Sequence, residues 1–191
     1  MSNSSPELSS ERCTLRLPRS GEALQIAEFF ARNREHLAPW DPAPPPGFYT
    51  ESFWRPRVAE MQLEFQRHTA LRLHVFLKES GALIGMANFA NLRRGVSQCC
   101  GLGYRMDGQL QGQGLMTEAL ARGIQFIFDD LNFHRIEANF IPHNLASGRV
   151  LEKLGFRREG LAERYLLIDG KWQDHVLTSL TNDSWRPEDG D

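Results

Sequence analysis

The sequence predicts one α+β domain, a mixed and mostly antiparallel twisted sheet with helices on both faces and a C-terminal hairpin. Three observations lead to this prediction. Alternating apolar runs joined by short turns occupy the middle of the chain, a helix of 3.6-residue periodicity follows them, and a hairpin pattern lies near the C-terminus. With 191 residues, 41% of them hydrophobic, the chain can bury one sizeable core and is short for two.

The N-terminal third is predicted to hold one strand and two helices. Residues 1–12 are Ser-rich and are expected to be flexible, and the domain is expected to span 13–181. A first strand contains Leu15. Apolar residues between 23 and 30, and again between 52 and 67, recur at the spacing of a helix.

A Pro-rich segment separates the two helices. Residues 36–47 include five prolines, which exclude regular structure. The segment is either a surface connector or one lip of a substrate cleft. Trp40, a large apolar group on a polar loop, favours the second interpretation.

Three strands with short links follow. The runs 71–77 and 83–90 form a hairpin about the turn at 80–81, and apolar residues alternate in a third run, 102–106. Because strands joined by short links run antiparallel, the middle of the sheet is expected to be antiparallel. A crossover helix then leads to the strand 135–141, which is therefore expected to run parallel to its predecessor.

The last part of the chain closes the sheet. Asn144 is a suitable N-cap for a helix that ends near Leu154, and Phe156 opens a short strand. The Asp-Gly pair at 169–170 suits a type I′ turn between two further strands, 165–168 and 171–180. The tail, 182–191, is polar and acidic, and is expected to be frayed.

Composition narrows the functional class. A net charge of −2 and a pI near 6.3 argue against a protein held on DNA by bulk electrostatics. No apolar run approaches the roughly 20 residues of a membrane span, so no membrane association is expected.

Cysteine usage and the N-terminus indicate the compartment. The cysteines Cys13, Cys99 and Cys100 form no C-x-x-C pair, so neither a zinc cage nor a disulfide framework is expected, and no metal is implied. Residues 1–10 lack the apolar core of a signal peptide. A reduced, cytoplasmic protein is therefore expected.

The most informative segment lies between the third central strand and the crossover helix. Residues 111–119 read Gln-Gly-Gln-Gly-Leu-Met-Thr-Glu-Ala. Two glycines before a helix let several backbone N–H groups point at one place, where the helix dipole favours a phosphate or pyrophosphate. The segment is either such an anion site or a plain Gly-rich turn. A dinucleotide fold would require a third glycine and a parallel unit, which this pattern does not offer.

Together these motifs resemble the GNAT superfamily of N-acetyltransferases along nearly the whole chain, and the C-terminal half resembles the ribosomal-protein-alanine N-acetyltransferases of the RimJ type. The resemblance implies a single GNAT-type domain that uses acetyl-CoA as acetyl donor. Up to about residue 69 the match is one of layout only. The matching positions are 111–120, 134–136, 142–144, Ser147, 154–156, 159–160, 165–172 and 174–177.

The resemblance also implies a coenzyme A site. In the family the glycine loop reads Gln/Arg-x-x-Gly-x-Gly/Ala, and Met116 departs from it at the last position. Met116 still offers its N–H to a pyrophosphate. The strand before the loop is expected to diverge from the next one and to pair with the pantetheine arm. The residues implied in coenzyme binding are Tyr104, Arg105, Met106, Gln111, Gly112, Gln113, Gly114, Leu115, Met116, Thr117, Asn144 and Ser147.

Catalytic roles follow from the same resemblance. Ser147 is implied as the group that protonates the departing thiolate, the alternative being a first-turn serine, and a backbone N–H near Met106 as the oxyanion donor. For the base, Glu137 and His143 are the first candidates. Asp169, Asp174 and His175 are further candidates, of which Asp169 is expected to be a turn residue and His175 a strand residue bonded across the sheet.

The implied acceptor is the N-terminal α-amine of a protein that begins with alanine, a small-subunit ribosomal protein, with transient ribosome association. Substrate contacts are expected from Trp40, Asp41, Tyr165 and Asp174 at the mouth of the site. Two alternatives stay open. One is acetylation of a small amine such as an aminoglycoside, a polyamine or an amino acid, and the other is a non-catalytic, coenzyme A-binding ribosome-assembly factor.

Overall fold

The computed structural model describes residues 5–187, in which eight strands form one sheet. The strands are β1 (Glu7–Ser9), β2 (Cys13–Arg16), β3 (Ala70–Leu77), β4 (Leu83–Arg93), β5 (Cys99–Met106), β6 (Arg135–Phe140), β7 (Arg157–Ile168) and β8 (Lys171–Thr181). Their order is β1-β2-β3-β4-β5-β6-β8-β7. Of these neighbours only β5 and β6 run parallel, which confirms the mixed, mostly antiparallel sheet.

Helices cover both faces of this sheet, as predicted. They are α1 (Ala23–Arg32), α2 (Arg34–Leu37), α3 (Glu51–Gln66), α4 (Leu115–Gln125) and α5 (Leu145–Lys153). A π-helical turn, Phe126–Asp130, continues α4 towards β6. One core lies between the sheet and α4 and α5, and a second lies on the opposite face beneath α1 and α3. The sheet therefore separates two layers of helices. The candidate site lies where strands β5 and β6 of this sheet diverge.

Three elements differ from the sequence prediction. The short helix α2 was not predicted, and its last two residues lie in the Pro-rich segment that was expected to hold no regular structure. Glu7–Ser9, inside the range expected to be flexible, forms an edge strand antiparallel to β2, because Leu8 is buried in the larger core. The strand predicted to open at Phe156 and the strand predicted at 165–168 are a single long strand, β7. Irregularities in its pairing with β8, with Arg164 at a φ of 49°, let it bend without ending.

Other predictions are confirmed in detail. Asp169 and Gly170 have φ values of 45° and 72°, as a type I′ turn requires. The tail differs from its prediction: it was expected to be frayed, but the segment 182–187 packs on the domain, where the Trp185 indole donates to the carbonyl of Asn132 at 3.1 Å. Predictions for residues 1–4 and 188–191 lie outside the described residues.

Membrane spans, metal clusters and cysteine pairing can be assessed over the described residues. No helix within residues 5–187 combines the length and apolar character needed to cross a bilayer. Over the same residues, no group of three or more His, Cys, Asp or Glu side chains is placed to hold a metal ion. The three cysteines are buried and free.

Candidate active site

The candidate site lies where β5 and β6 diverge. The two strands pair only at their first residues, Cys99–Gly101 with Arg135–Glu137. Beyond these pairs no ladder joins the described residues of the two strands. A cavity of about 450 Å³ opens there, and both strand ends line it. The divergence expected from the sequence is thus present.

Backbone groups of β5 point into this gap. The N–H of Asp107 donates to the carbonyl of Ile84 on β4 at 2.8 Å. Since successive backbone groups of a strand point to opposite edges, those of Tyr104 and Met106 point away from β4 and towards the gap. They offer donors and acceptors to an extended ligand, and the Met106 N–H lies where an oxyanion donor is expected.

The glycine loop closes one end of the cavity. Gly112 and Gly114 have φ values of 75° and 77°, which glycine adopts readily. Gly114 is the N-cap of α4, whose first internal bond runs from the Glu118 N–H to the Gly114 carbonyl at 3.0 Å. The N–H groups of Leu115, Met116 and Thr117 therefore have no partner within the helix. The loop can receive an anion such as a pyrophosphate.

Glu118 fixes the start of α4 to the N-terminal strands. Its carboxylate accepts from the Ser10 hydroxyl, the Arg12 N–H and the Arg12 Nε, each at 2.7 Å. Arg12 also donates to the Gln113 carbonyl at 3.1 Å. Burial raises the pKa of Glu118, but these hydrogen bonds outweigh it and hold that pKa below its ordinary value. The loop is thus held from the side of the N-terminal strands, while Leu115, Met116 and Thr117 line the cavity.

Ser147 and Tyr104 form a hydroxyl pair across the gap. Asn144 caps α5 by accepting the Ser147 N–H at 3.1 Å, which places the serine at the cavity. The Tyr104 hydroxyl lies 2.7 Å from Ser147 Oγ and donates to the Ser147 carbonyl at 3.0 Å. Burial raises the pKa of Tyr104 to about 12, although the bond to Ser147 lowers it. The tyrosine is therefore a neutral hydroxyl at physiological pH.

Two basic residues of the cavity are not among the site residues predicted from the sequence. Arg149 and Lys153 lie four residues apart on α5 and both line the cavity. Their spacing, which places them on one face of the helix after the Asn144 cap, is the signal that could have found them. They add positive charge to a site whose glycine loop already favours an anion.

The Pro-rich segment lines the other side of the mouth. Trp40 and Asp41 border the cavity, as predicted. Asp41 accepts from Arg105 Nε on β5 at 2.6 Å. Trp40 packs against His143, with ring centroids 5.3 Å apart. The segment therefore crosses the mouth from β5 to the turn that precedes α5.

The opposite wall comes from the C-terminal hairpin. Leu166, Ile168 and His175 line the cavity together with Asn139 of β6. Asn139 donates to the Tyr165 hydroxyl at 3.4 Å, and the Tyr165 ring lies 5.5 Å from that of His175. A small polar cluster thus faces Asp41 and Arg105 across the gap.

The end of β5 is held to α1 by a buried carboxylate. Asp107 accepts from Arg32 Nε at 2.8 Å, from the Asn33 amide at 3.2 Å and from the Gln109 N–H at 3.1 Å. Burial raises the pKa of Asp107, but these bonds outweigh it and keep the pKa below its usual range. The strand that borders the cavity is therefore anchored just beyond its last residue.

Not every predicted site residue lies at the cavity. Glu137 does not line it and is 3.1 Å from both Arg93 and Arg135, on the part of β6 that still pairs with β5. His143 contacts Trp40 but is outside the lining. Gln113, Tyr165 and Asp174 are also outside it, and Asp174 accepts the Arg164 N–H at 2.8 Å. The remaining predicted residues line the cavity together: Trp40, Asp41, Tyr104, Arg105, Met106, Gln111, Gly112, Gly114, Leu115, Met116, Thr117, Asn144 and Ser147.

Comparison with known proteins gives a consistent result. Residues 12–157 match the family model described as an acetyltransferase (GNAT) domain. The [ribosomal protein uS5]-alanine N-acetyltransferase of Escherichia coli K12 is 40% identical over 180 residues, 94% of this chain and 93% of that protein.

Solved structures agree with the sequence match. The ribosomal-protein-S5-alanine acetyltransferase of Vibrio fischeri superimposes with a TM-score of 0.91 at 38% identity, over 95% of this chain and all of that one. Mycobacterium smegmatis RimJ, in complex with CoA-disulfide, gives a TM-score of 0.85 at 30% identity, over 93% of this chain and 86% of that one.

Proposed function

The chain belongs to the GNAT acetyltransferase family, and we propose that it transfers the acetyl group of acetyl-CoA to the α-amine of an N-terminal alanine, that of a small-subunit ribosomal protein. The observation that carries the acceptor is the similarity, along nearly the whole chain, to the E. coli enzyme named for uS5 alanine. Members of this family use acetyl-CoA as donor. The acceptor class and the roles of individual residues are our inference.

The cavity suits the donor. The N–H groups of Leu115, Met116 and Thr117 would hold the pyrophosphate, with Arg149 and Lys153 supplying positive charge. The exposed edge of β5 would pair with the amide groups of the pantetheine arm, which leads the thioester to the gap between β5 and β6.

The chemistry is direct attack of the amine on the thioester carbonyl. The oxyanion that forms is stabilised by a backbone N–H, for which Met106 is placed at the edge of the gap. As the C–S bond breaks, Ser147 Oγ donates a proton to the thiolate. Tyr104, 2.7 Å from Ser147 Oγ, holds that hydroxyl at the cavity.

An α-amine is a reasonable acceptor for this site on chemical grounds. Its pKa of about 7.7–8.0 leaves roughly a tenth of it neutral near pH 7, whereas a lysine is neutral to less than about one part in a thousand. A carboxylate base is therefore not required. We do not assign Glu137 as the base, since it forms ion pairs with Arg93 and Arg135 and does not line the cavity.

The charges of the cavity bear on the small-amine alternative. A polyamine or aminoglycoside acceptor would call for several carboxylates. Among the described residues that line the cavity, Asp41 is the one carboxylate, and Arg105 pairs with it at 2.6 Å. This arrangement favours an acceptor with a single charge.

Mass spectrometry with two peptides tests the proposal. One peptide begins with a free alanine and contains no lysine, and the other has a blocked N-terminus and one internal lysine. We expect a gain of one acetyl group on the first peptide alone when acetyl-CoA is supplied. Acetylation of the second alone would contradict α-amine transfer. Acetylation of neither, with acetyl-CoA still bound, would favour a small amine or a non-catalytic role.

A further inference from the structure

We infer that Nε2 of His175 is the base that takes a proton from the acceptor's ammonium group before attack, an inference that rests on the proposed function. His175 lies on β8, one residue before the Val176 that pairs with Phe140, the last residue of β6. The side chain lines the cavity, and the residue is only 4% exposed. Its ring therefore lies beside the end of β6, where β5 and β6 have separated.

The ring has a defined hydrogen-bonding state. His175 Nδ1 lies 3.0 Å from the carbonyl of Gln173, and a carbonyl can only accept. In the neutral ring Nδ1 therefore carries the hydrogen, and Nε2 presents its lone pair. The described contacts show no hydrogen bond at Nε2. Nε2 of His175 is therefore free to accept a proton, and the ring that carries it borders the cavity.

His175 and Ser147 approach the gap from opposite faces of the sheet. The side chain of Phe140 lies close to Gly148 of α5, so Phe140 points to the face of the sheet that α5 covers. Ser147, also on α5, lies on this same face. Alternate side chains of a strand point to opposite faces, which places Asn139, next to Phe140, on the other face. Asn139 donates a hydrogen bond to Tyr165, and the Tyr165 ring contacts His175. His175 therefore lies on the same face as Asn139.

This division separates the two proton transfers of the reaction. An amine that enters on the face of Asn139, Asp41 and His175 meets the thioester on the side away from Ser147. The base acts on the incoming nitrogen, and the serine acts on the leaving sulfur. Neither group has to reach both atoms.

The protons balance over one turnover. The ammonium gives one proton to His175 Nε2, which later releases it to water, and the freed lone pair forms the N–C bond. The oxyanion collapses and the C–S bond breaks. The thiolate takes the hydroxyl proton of Ser147, the nitrogen gives its second proton to water, and the Ser147 oxygen recovers a proton from water. The products are the amide and coenzyme A as its thiol.

Other titratable and charged groups share this environment. Tyr165 of β7 contacts the His175 ring. Asp174 precedes His175 on β8. Asp41 and Arg105, paired with each other, line the same cavity across the gap. From the remaining elements the cavity also receives His36, Tyr104, Arg149 and Lys153.

The test compares His175→Gln with the wild type on the alanine peptide, from pH 6 to pH 9.5, by coenzyme A release. At pH 7 we expect about a tenfold loss of kcat/KM, because roughly a tenth of an α-amine is neutral there without a base. The loss should close as the pH rises beyond the amine's own pKa, while acetyl-CoA affinity stays unchanged. His134→Gln, at an exposed histidine packed on Trp185, is the matched control and should match the wild type.

Several outcomes would overturn the inference. A loss that is the same at every pH indicates a structural role, and no loss at all excludes the base. If the variant does not fold, the ¹⁵N NMR spectrum of the wild-type ring decides the matter. Hydrogen on Nε2 of the neutral ring would contradict the inference, and hydrogen on Nδ1 would support it. If the wild type acetylates neither peptide, the proposed function itself has failed.

Discussion

Ser147→Ala is expected to lower kcat about a hundredfold with little change in acetyl-CoA affinity. A hundredfold loss lies at the lower end of the usual effect of removing a positioned acid. The reason is that the substitution removes the hydroxyl at the thiolate and leaves the Asn144 cap in place, since that cap uses the Ser147 N–H. Steady-state kinetics with calorimetric measurement of acetyl-CoA binding would check both parts.

Two further variants sharpen this prediction. Ser147→Thr keeps a hydroxyl and should stay within about tenfold of the wild type, as expected if proton donation is what matters. Ser97→Ala, at an exposed serine in the turn before β5, is the control for serine substitution and should have no effect. An unchanged kcat for Ser147→Ala would assign the thiolate proton to another donor.

Gly85→Ala is expected to destabilise the fold by about 2–3 kcal/mol, the cost typical of overpacking. An added Cβ would lie 2.6 Å from the Arg105 carbonyl oxygen and 2.9 Å from Met116 Cε. The carbonyl is backbone in a paired strand, so β4 and β5 must move apart. Strand propensity alone predicts the opposite sign, because glycine inside a strand is normally unfavourable.

The neighbouring strand offers a matched control. Gly103, in β5, has no atom within 4 Å of an added Cβ, so Gly103→Ala should leave stability unchanged or raise it slightly. Urea unfolding of both variants measures the difference. Equal stabilities would show that β4 and β5 accommodate the added carbon at Gly85 without separating.

Local patterns were sufficient for much of this molecule. The two glycines before α4, the Asp-Gly turn and the alternation in β3 to β5 each depend on neighbours in the sequence, and each is present as expected. β1 was missed because Leu8 is its one buried residue, too little to show alternation. β7 was divided in two because its irregular pairing conceals the continuity of the strand.

The candidate base shows what local patterns cannot give. Period two places Glu137 and Asn139 on one face, but only the register shows that Glu137 lies in the paired part of β6 beside Arg93 and Arg135. His175 was expected to be an ordinary strand residue bonded across the sheet, but its Nδ1 bonds the Gln173 carbonyl of its own strand. Its place beside the end of β6 follows from the pairing of β8 with β6, two strands that are distant in sequence.

A crystal structure with a bisubstrate ligand would test the central claim most directly. The ligand joins the sulfur of coenzyme A through an acetyl linker to the α-nitrogen of an alanine peptide. We predict the pyrophosphate at 111–117, the sulfur beside Ser147 Oγ, and the peptide leaving between Trp40 and His175. A peptide that leaves on the α5 face, or a pyrophosphate bound away from the glycine loop, would contradict this assignment of the site.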